Sequence, residues 1–386
     1  MDPNRYRAPH AGCVVAVGQG KGRYHAFIPA PIPRALDLGV DLVLALSDAD
    51  RALGTLQGLG GLLPNPHLLI RPYMRREAVA SNRIEGTEST LGEVFSAEAQ
   101  LELIPKNPDL REVLNYVRAL ELGLERLNEL PVSNRLMREM HAELLRDVRG
   151  QERTPGEFRR SPNWIGGRGL NDAIFVPPPP DQMNGALDDL ERYLHEDVPL
   201  PVLVRCALIH YQFETIHPFI DGNGRLGRLL IVFYLVERGF LRQPLLYLSA
   251  YLEHHREEYV ARLQTVREEG AFEDWVTFFL QAVSTQARAA TRTAESLIRL
   301  VAEFRNRLRQ LRARGQAGDA AERLIASPFV SAPGLANDLG LTRQGAQYII
   351  DTLRRANIVV PATVPSRPAL YYSPEVLDIL QQDEPG

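Results

Sequence analysis

The sequence predicts an all-helical core that carries a short β-hairpin loop, is preceded by further helices, and is followed by a small unit of helices and a two-stranded hairpin. Three observations predict it. Between residues 110 and 279 apolar side chains recur three and four positions apart, the repeat of one buried helical face. That rhythm fails over one long stretch, residues 163–180, which is rich in Gly and Pro and poor in helix formers. Beyond residue 317 short helical stripes give way to Ile358-Val359-Val360 and Leu370-Tyr371-Tyr372, two β-branched or aromatic runs flanking a Pro-rich turn.

Taken in chain order, the first thirty or so residues are rich in Gly, Pro and basic side chains and read as an extended arm. Within them Gly18-Gln19-Gly20-Lys21-Gly22 lacks the spacing and the strand-to-helix setting of a phosphate loop, so it reads as a plain flexible loop. Helical periodicity starts near Val40, runs through Leu42, Leu44, Leu46 and Leu53, and breaks at Gly58 to Pro66. A second helix from about Ile70 to Glu85 ends at Gly86, a common helix stop. In the core, Leu114, Val117, Leu120, Leu122 and Leu127 form one stripe, Leu136, Met140, Leu144 and Leu145 another, and Leu187, Leu190, Tyr193 and Leu194 a third. A Gly- and Pro-rich loop as long as residues 163–180 inside a helical domain is usually a functional one.

Thr285 to Arg314 reads as an amphipathic linker helix with a heptad-like seam at Leu297, Val301, Phe304, Leu308 and Leu311. Its other face carries eight arginines and two glutamates, most simply a solvated face. After a helix at about Ala320 to Ala326, Ser331 can cap a further helix with Pro333 in its first turn. That helix stops at Gly340, and Thr342 caps the next, which runs to about Ala356. The expected divisions are residues 1–105, 106–284, 285–316 and 317–386.

Composition bounds the function. A chain of 386 residues exceeds one compact core. A net charge of -4 excludes a global pull toward nucleic acid or anionic membrane. Two cysteines, Cys13 and Cys206, exclude a disulfide framework or a cysteine-built zinc site and fit a reducing cytoplasm. The longest apolar run, Leu229 to Val236, is far short of a bilayer span, so a cytoplasmic protein without membrane contact is expected.

Residues 202–215 read as a helix, and where it stops stands His217-Pro218-Phe219-Ile220-Asp221-Gly222-Asn223-Gly224-Arg225-Leu226-Gly227-Arg228. Pro218 cannot continue a helix. Gly222-Asn223-Gly224 permits backbone angles closed to most residues, so successive N–H groups can converge on an anion. A helix restarting near Arg225 adds its N-terminal amides and dipole. Arg225 and Arg228, three apart, fall on one helical face, and two guanidiniums beside such a nest suit a di- or triphosphate better than a carboxylate. Asp221 stands where it can hold a divalent cation against those phosphates. His217 is the side chain of the loop able to accept a proton near neutral pH.

The stretch matches the Fic motif HPFx(D/E)GNGRxxR at every defined position, and with Phe213-Glu214-Thr215-Ile216 and Leu229-Leu230-Ile231 around it the chain resembles the Fic family. The resemblance implies an all-α Fic core that transfers AMP from ATP to a Ser, Thr or Tyr hydroxyl of a protein, with Mg2+ as cofactor. It implies His217 as the base, Asp221 as the magnesium ligand and Gly222 to Gly224 as the anion hole. Asn223 and Arg225 would then hold the α- and β-phosphates, and Arg228 the γ-phosphate. Relatives that act as kinases replace the second glycine of the nest, usually with lysine; Gly224 is intact, which favours AMP transfer.

Two further stretches extend the resemblance. Ser81-Asn82-Arg83-Ile84-Glu85-Gly86 is similar to the (S/T)xxxE(G/N) motif of Fic proteins with an N-terminal inhibitory helix, here about residues 70–86. Ser81 and Glu85 share a helical face, and the motif implies that Glu85 pairs with Arg228 in competition with the γ-phosphate. Gly156-Glu157-Phe158-Arg159-Arg160 followed by Asn163-Trp164-Ile165-Gly166 resembles the family's flap, which pairs with the target strand against strand; simple covering of the core by Trp164 and Ile165 is the equal alternative. Tyr259 falls in a segment resembling the lining of the adenine pocket. Many relatives have two adjacent tyrosines there and this chain has Tyr259-Val260, which leaves the base open.

A second reading makes the core the nucleotide sensor of a DNA-binding regulator, because the C-terminal order of helices and hairpin resembles a winged helix-turn-helix. Residues 317–386, however, hold five arginines against eight acids. DNA-binding domains carry a basic footprint, so protein contact or dimerisation fits this balance better. Transfer of another nucleotide, removal of AMP by the same site, a homodimer, and the chain itself as acceptor all stay open.

Overall fold

The structure, a computed structural model, describes residues 1–62, 67–100, 106–149, 152–313, 315–362 and 368–382. Strands β1 (Gly12–Val17) and β2 (Tyr24–Pro29) precede helices α1 (Val40–Leu62), α2 (His67–Ile84), α3 (Leu91–Ala99), α4 (Pro108–Arg126) and α5 (Asn134–Leu144). There follow α6 (Pro180–His195), α7 (Val202–Ile216), α8 (Asn223–Glu237), α9 (Ser249–His254), α10 (Arg256–Glu269) and α11 (Phe272–Gln310). The C-terminal elements are α12 (Ala317–Ala326), β3 (Phe329–Ser331), α13 (Ala332–Leu339), α14 (Arg343–Arg355), β4 (Val360–Pro361), β5 (Leu370–Tyr372) and α15 (Pro374–Gln381). The chain is mostly helical with small sheets, and it divides into two units. One comprises Met1–Ala52, Asn115–Arg242 and Tyr251–Thr285; the other comprises Leu53–Leu114, Gln243–Ala250 and Gln286–Gly386.

The first unit is built on α7 and α8. Neither has a polar face to turn outward, as expected of central helices: every residue of α7 from Leu203 to Ile216 is buried. The two helices cross closely at Gly227, where a Cβ would overlap the Glu214 carboxylate. On α4, a Cβ at Gly123 would fall within the Phe233 ring of α8. Trp275 of α11 is fully buried and donates its indole N–H to the Ala207 carbonyl at 2.8 Å.

The N-terminal segment is not an extended arm. It forms an antiparallel hairpin in the register Gly12↔Pro29 to Val17↔Tyr24, with Gly18 and Gly20 at positive φ in its turn. Tyr24 and Ala26 pack against Ala173 and Val176, and the Phe27 N–H donates to the Val176 carbonyl at 2.9 Å. The strand forms because it finds this neighbour, which composition alone does not reveal. The expected hairpin within residues 163–180 is reduced to a single bridge, Ile165↔Phe175.

In the second unit, α1 runs through the expected break at Gly58; residues 63–66 lie outside the described residues. Helix α2 continues through Pro72 and is braced along its length. The Tyr73 hydroxyl donates to the Ala290 carbonyl at 2.5 Å, and Arg75 donates to the Glu98 carboxylate at 2.9 and 3.0 Å. Glu77 accepts from both the N–H and the hydroxyl of Ser249, capping α9. Helix α12 packs against α2, and β3 against α3. The expected linker helix is the second half of α11, a continuous helix of 39 residues. Of its seam, Leu297, Phe304 and Leu308 are buried, while Leu311 is 38% exposed.

Ser331 and Thr342 cap α13 and α14, accepting from Gly334 and Gly345 N–H at 3.3 and 3.1 Å. The β4–β5 pair has a third strand that the sequence did not disclose, since β3 pairs with β5 to give the order β3-β5-β4. The Pro-rich turn before β5 falls partly on residues 363–367, outside the described residues. Among the described residues no helix is long and apolar enough to cross a membrane.

Two glycines separate packing from propensity. Gly123→Ala is expected to lower stability by about 1–3 kcal/mol through overpacking against Phe233. Gly58→Ala, exposed in mid-helix with nothing within 4 Å of its added methyl, is expected to raise it by about 0.5–1 kcal/mol. Thermal and denaturant melts of the two variants check both signs.

Candidate active site

Helix α7 ends at His217, whose φ of 49° and ψ of 61° are left-handed, an unusual state for a residue with a Cβ. Its N–H still donates to Phe213 O at 2.9 Å, and its ring is half-buried. The chain then turns through Pro218 to Gly222, which caps α8 at φ 77° and ψ 4°. Gly222 brings no capping side chain, so the first-turn N–H groups of Asn223 and Gly224 are available to an anion.

Phe219 is the pivot of the loop. Its ring is fully buried, and its N–H donates to Asn223 Oδ1 at 2.9 Å. Its carbonyl accepts from Asn223 Nδ2 at 2.9 Å and Asn163 Nδ2 at 3.1 Å. Asn163 Nδ2 also donates to Ile220 O at 3.2 Å. The Asn223 side chain thus closes a ring with the Phe219 backbone, and its share in an anion site is its main-chain N–H. Arg225 and Arg228 are 4% and 2% exposed on the first turns of α8, adding buried positive charge to the positive end of the helix dipole.

Asp221 is the candidate cation ligand. Its carboxylate is 42% exposed, Oδ1 accepts from Gly222 N–H at 2.6 Å, and Arg225 Nη2 lies 3.7 Å away. Among the described residues no group of three or more His, Cys, Asp or Glu is placed to hold a metal. One exposed carboxylate nevertheless fits the ordinary donor set of magnesium, which keeps its waters and takes few protein ligands.

Of the remaining expected residues, Trp164 is 41% exposed, and Ile165 exchanges backbone hydrogen bonds with Phe175 at 2.8 and 3.1 Å. Tyr259 is 4% exposed, and its hydroxyl meets His210 Nε2 at 2.8 Å. Ser81 and Glu85 belong to the second unit: Ser81 is fully buried on α2, and Glu85 follows the last helical residue with its side chain exposed, before Gly86 at φ 92°.

Sequence reasoning missed two histidines that frame the loop. His141 of α5 stacks on Phe219 with centroids 3.8 Å apart. Its Nδ1 accepts from Gly156 N–H at 2.8 Å, so Nε2 carries the proton and donates to the Asp221 carbonyl at 2.9 Å. His210 of α7 has the opposite tautomer, Nδ1–H donating to Gly227 O at 3.0 Å and Nε2 accepting from Tyr259. Burial pushes His141 down to about 4 and His210 to about 3, which keeps both neutral. In the sequence each is a lone polar residue in an apolar stripe, with no signal beyond that.

Residues 43–125 match the Fic/DOC family N-terminal profile and residues 131–235 the Fic/DOC family profile. A probable protein adenylyltransferase of Aquifex aeolicus is 35% identical over 117 residues, 30% of this chain and 32% of that protein. The protein adenylyltransferase Fic of Drosophila yakuba is 32% identical over 166 residues, 41% of this chain and 31% of that protein. The match thus spans about a third of the length of these curated relatives. In fold, a Fic family protein from Desulfovibrio desulfuricans is similar with a TM-score of 0.56 at 21% identity, covering 88% of this chain and 97% of that one. A Fic domain containing signaling protein from Bacteroides thetaiotaomicron gives 0.52 at 20% identity, covering 64% and 95%.

The buried neutral histidines set a pH dependence. An unfolded histidine protonates near 6.5, so between that value and about 4 the unfolded chain binds the proton that folded His141 refuses. Stability therefore falls as pH drops through this window, by on the order of 3 kcal/mol for His141 at its acid end. His141→Gln is expected to narrow the difference in Tm between about pH 7 and about pH 4.5. An undiminished difference would assign the titration to other groups.

Proposed function

For a chain that carries a Fic/DOC family N-terminal segment and a Fic/DOC domain, we propose the function of a protein adenylyltransferase, moving AMP from ATP to a Ser, Thr or Tyr hydroxyl of a protein. One observation carries the reading. A histidine in a left-handed turn opens directly onto a helix N-terminus that is capped by a glycine and carries two buried guanidiniums, so base and polyphosphate cradle are parts of one loop.

His217 takes the proton of the acceptor hydroxyl while its oxygen bonds to the α-phosphorus. The bond from that phosphorus to the bridging oxygen breaks, and pyrophosphate leaves with the electron pair. The N–H groups of Asn223 and Gly224, together with Arg225, offset the charge that builds on the α-phosphate and the leaving group. Arg228 holds the γ-phosphate. Asp221 would hold Mg2+, which when bound neutralises part of the pyrophosphate charge. Asn163, Trp164 and Ile165 present the target segment against the loop. Tyr259, whose hydroxyl is bonded to His210, lines the adenine side of the site in this reading.

The resting chain is held off by Glu85, which competes with the γ-phosphate for Arg228, with buried Ser81 anchoring the turn. With that glutamate in place the same site orients a water and removes AMP from a modified protein. The capped pair α13 and α14 beside the β3-β5-β4 sheet supports reading the C-terminal elements as a winged helix-turn-helix. Tyr348, 62% exposed on α14, together with the acidic balance of the segment, favours a protein contact over DNA.

ATP labelled at either the α- or the γ-phosphate, given to Glu85→Gly with a lysate, tests the reading. Protein is expected to take label from the α position only, more than about tenfold above the unchanged chain. Adding His217→Ala should cut that rate by about 10²–10⁴. Label from the γ position would make the chain a kinase, and none from either position in a folded variant would overturn the proposal.

A further inference from the structure

Arg159 stands on the segment between α5 and α6, outside the loop itself, and is 2% exposed. Among the described residues its guanidinium donates only to main-chain carbonyls. Nε reaches His217 O at 2.9 Å and Nη1 reaches Ser161 O at 3.2 Å. Nη2 reaches both Pro178 O at 2.5 Å and Ile216 O at 3.3 Å. The residue's own N–H donates to Pro218 O at 2.9 Å. Among the described residues no carboxylate pairs with it, and burial pushes its pKa down to about 10.

A cation buried without a counter-ion costs several kcal/mol, so the geometry imposed by the side chain is the gain to weigh against that cost. Three consecutive carbonyls, those of Ile216, His217 and Pro218, lie at the C-terminal end of α7, where orphan acceptors and the negative end of the dipole favour a cation. The guanidinium takes the first two and the main-chain N–H of residue 159 the third; holding the first two fixes the peptide planes on both sides of His217, and hence the direction of its Cα–Cβ bond. The other two acceptors, Ser161 O and Pro178 O, flank the stretch that carries Asn163, Trp164 and Ile165.

We propose that Arg159 is the positioning residue of the site: one guanidinium holds His217 and both feet of residues 161–178 in a single geometry, keeping base and target-presenting segment in register. The inference rests on the reading of His217 as the base. Among the described residues the guanidinium of Arg159 donates to His217, Ser161, Pro178 and Ile216 and to no group of the Gly222 to Gly224 turn, so its loss should misplace the base without emptying the phosphate site.

The test compares Arg159→Ala and Arg159→Lys in the Glu85→Gly chain. The lysine keeps the charge but lacks the planar fork. Both variants are expected to lose about 10²-fold in kcat with KM for ATP within about threefold, and added guanidinium ion should restore part of the activity of Arg159→Ala. Hydrogen exchange is expected to quicken over residues 161–178 and 213–224 and to stay unchanged elsewhere. An unaltered kcat overturns the proposal, as does exchange that rises evenly along the whole chain. If the Glu85→Gly parent itself transfers nothing, the functional reading fails, and the exchange pattern alone decides whether Arg159 positions His217.

Discussion

The left-handed turn at His217 is the constraint on which the first unit depends. Two helices without a polar face, α7 and α8, must reverse direction between them while both stay buried. A residue with a Cβ held at positive φ costs about 1–3 kcal/mol, and it persists only where its surroundings leave no alternative. Here the surroundings do so from several sides. Arg159 holds the carbonyls on either side of the turn, the Asn223 amide closes on Phe219, and Gly227 lets the returning helix lie close against Glu214.

The polar groups around this turn follow one logic. His141 and His210 are kept neutral by burial, and each has its tautomer set by a backbone partner. Arg267, buried against the same helix, donates to Thr215 Oγ1 at 3.1 Å and lies 3.9 Å over the Phe175 ring. Burial lowers its pKa as well, so packing and hydrogen bonds, rather than an exposed ion pair, hold it in place. Such groups are expensive to desolvate and, once satisfied, stiff. Stiffness suits the anion-binding role proposed for this loop, because dipoles fixed beforehand require no reorganisation when charge develops.

In the second unit the helix bearing Ser81 is held by partners far away in sequence. Tyr73 is bonded to α11, Glu77 to the start of α9, and Arg75 to α3. Helix α12 lies along α2 itself. Residues 53–114 and the C-terminal elements therefore form one packed body, although the pattern of the sequence divides them at opposite ends of the chain.

The sequence by itself determined the conformation of the loop from His217 to Arg228, because what imposes it is local. A proline that cannot continue a helix, glycines that open otherwise forbidden angles, and arginines three apart state their consequences within twelve residues. Caps at Ser331 and Thr342 were legible for the same reason, each being a bond between residues three apart. Only the tertiary structure decided what long-range partners decide. Strands β1, β2 and β3 exist through neighbours that composition does not name, and α1 runs past the break expected at Gly58 because packing outweighs a glycine's cost. His141 and Arg159 read as a core histidine and a loop arginine until the fold sets them against Asp221 and His217, since a buried polar group acquires its role from the atoms that satisfy it.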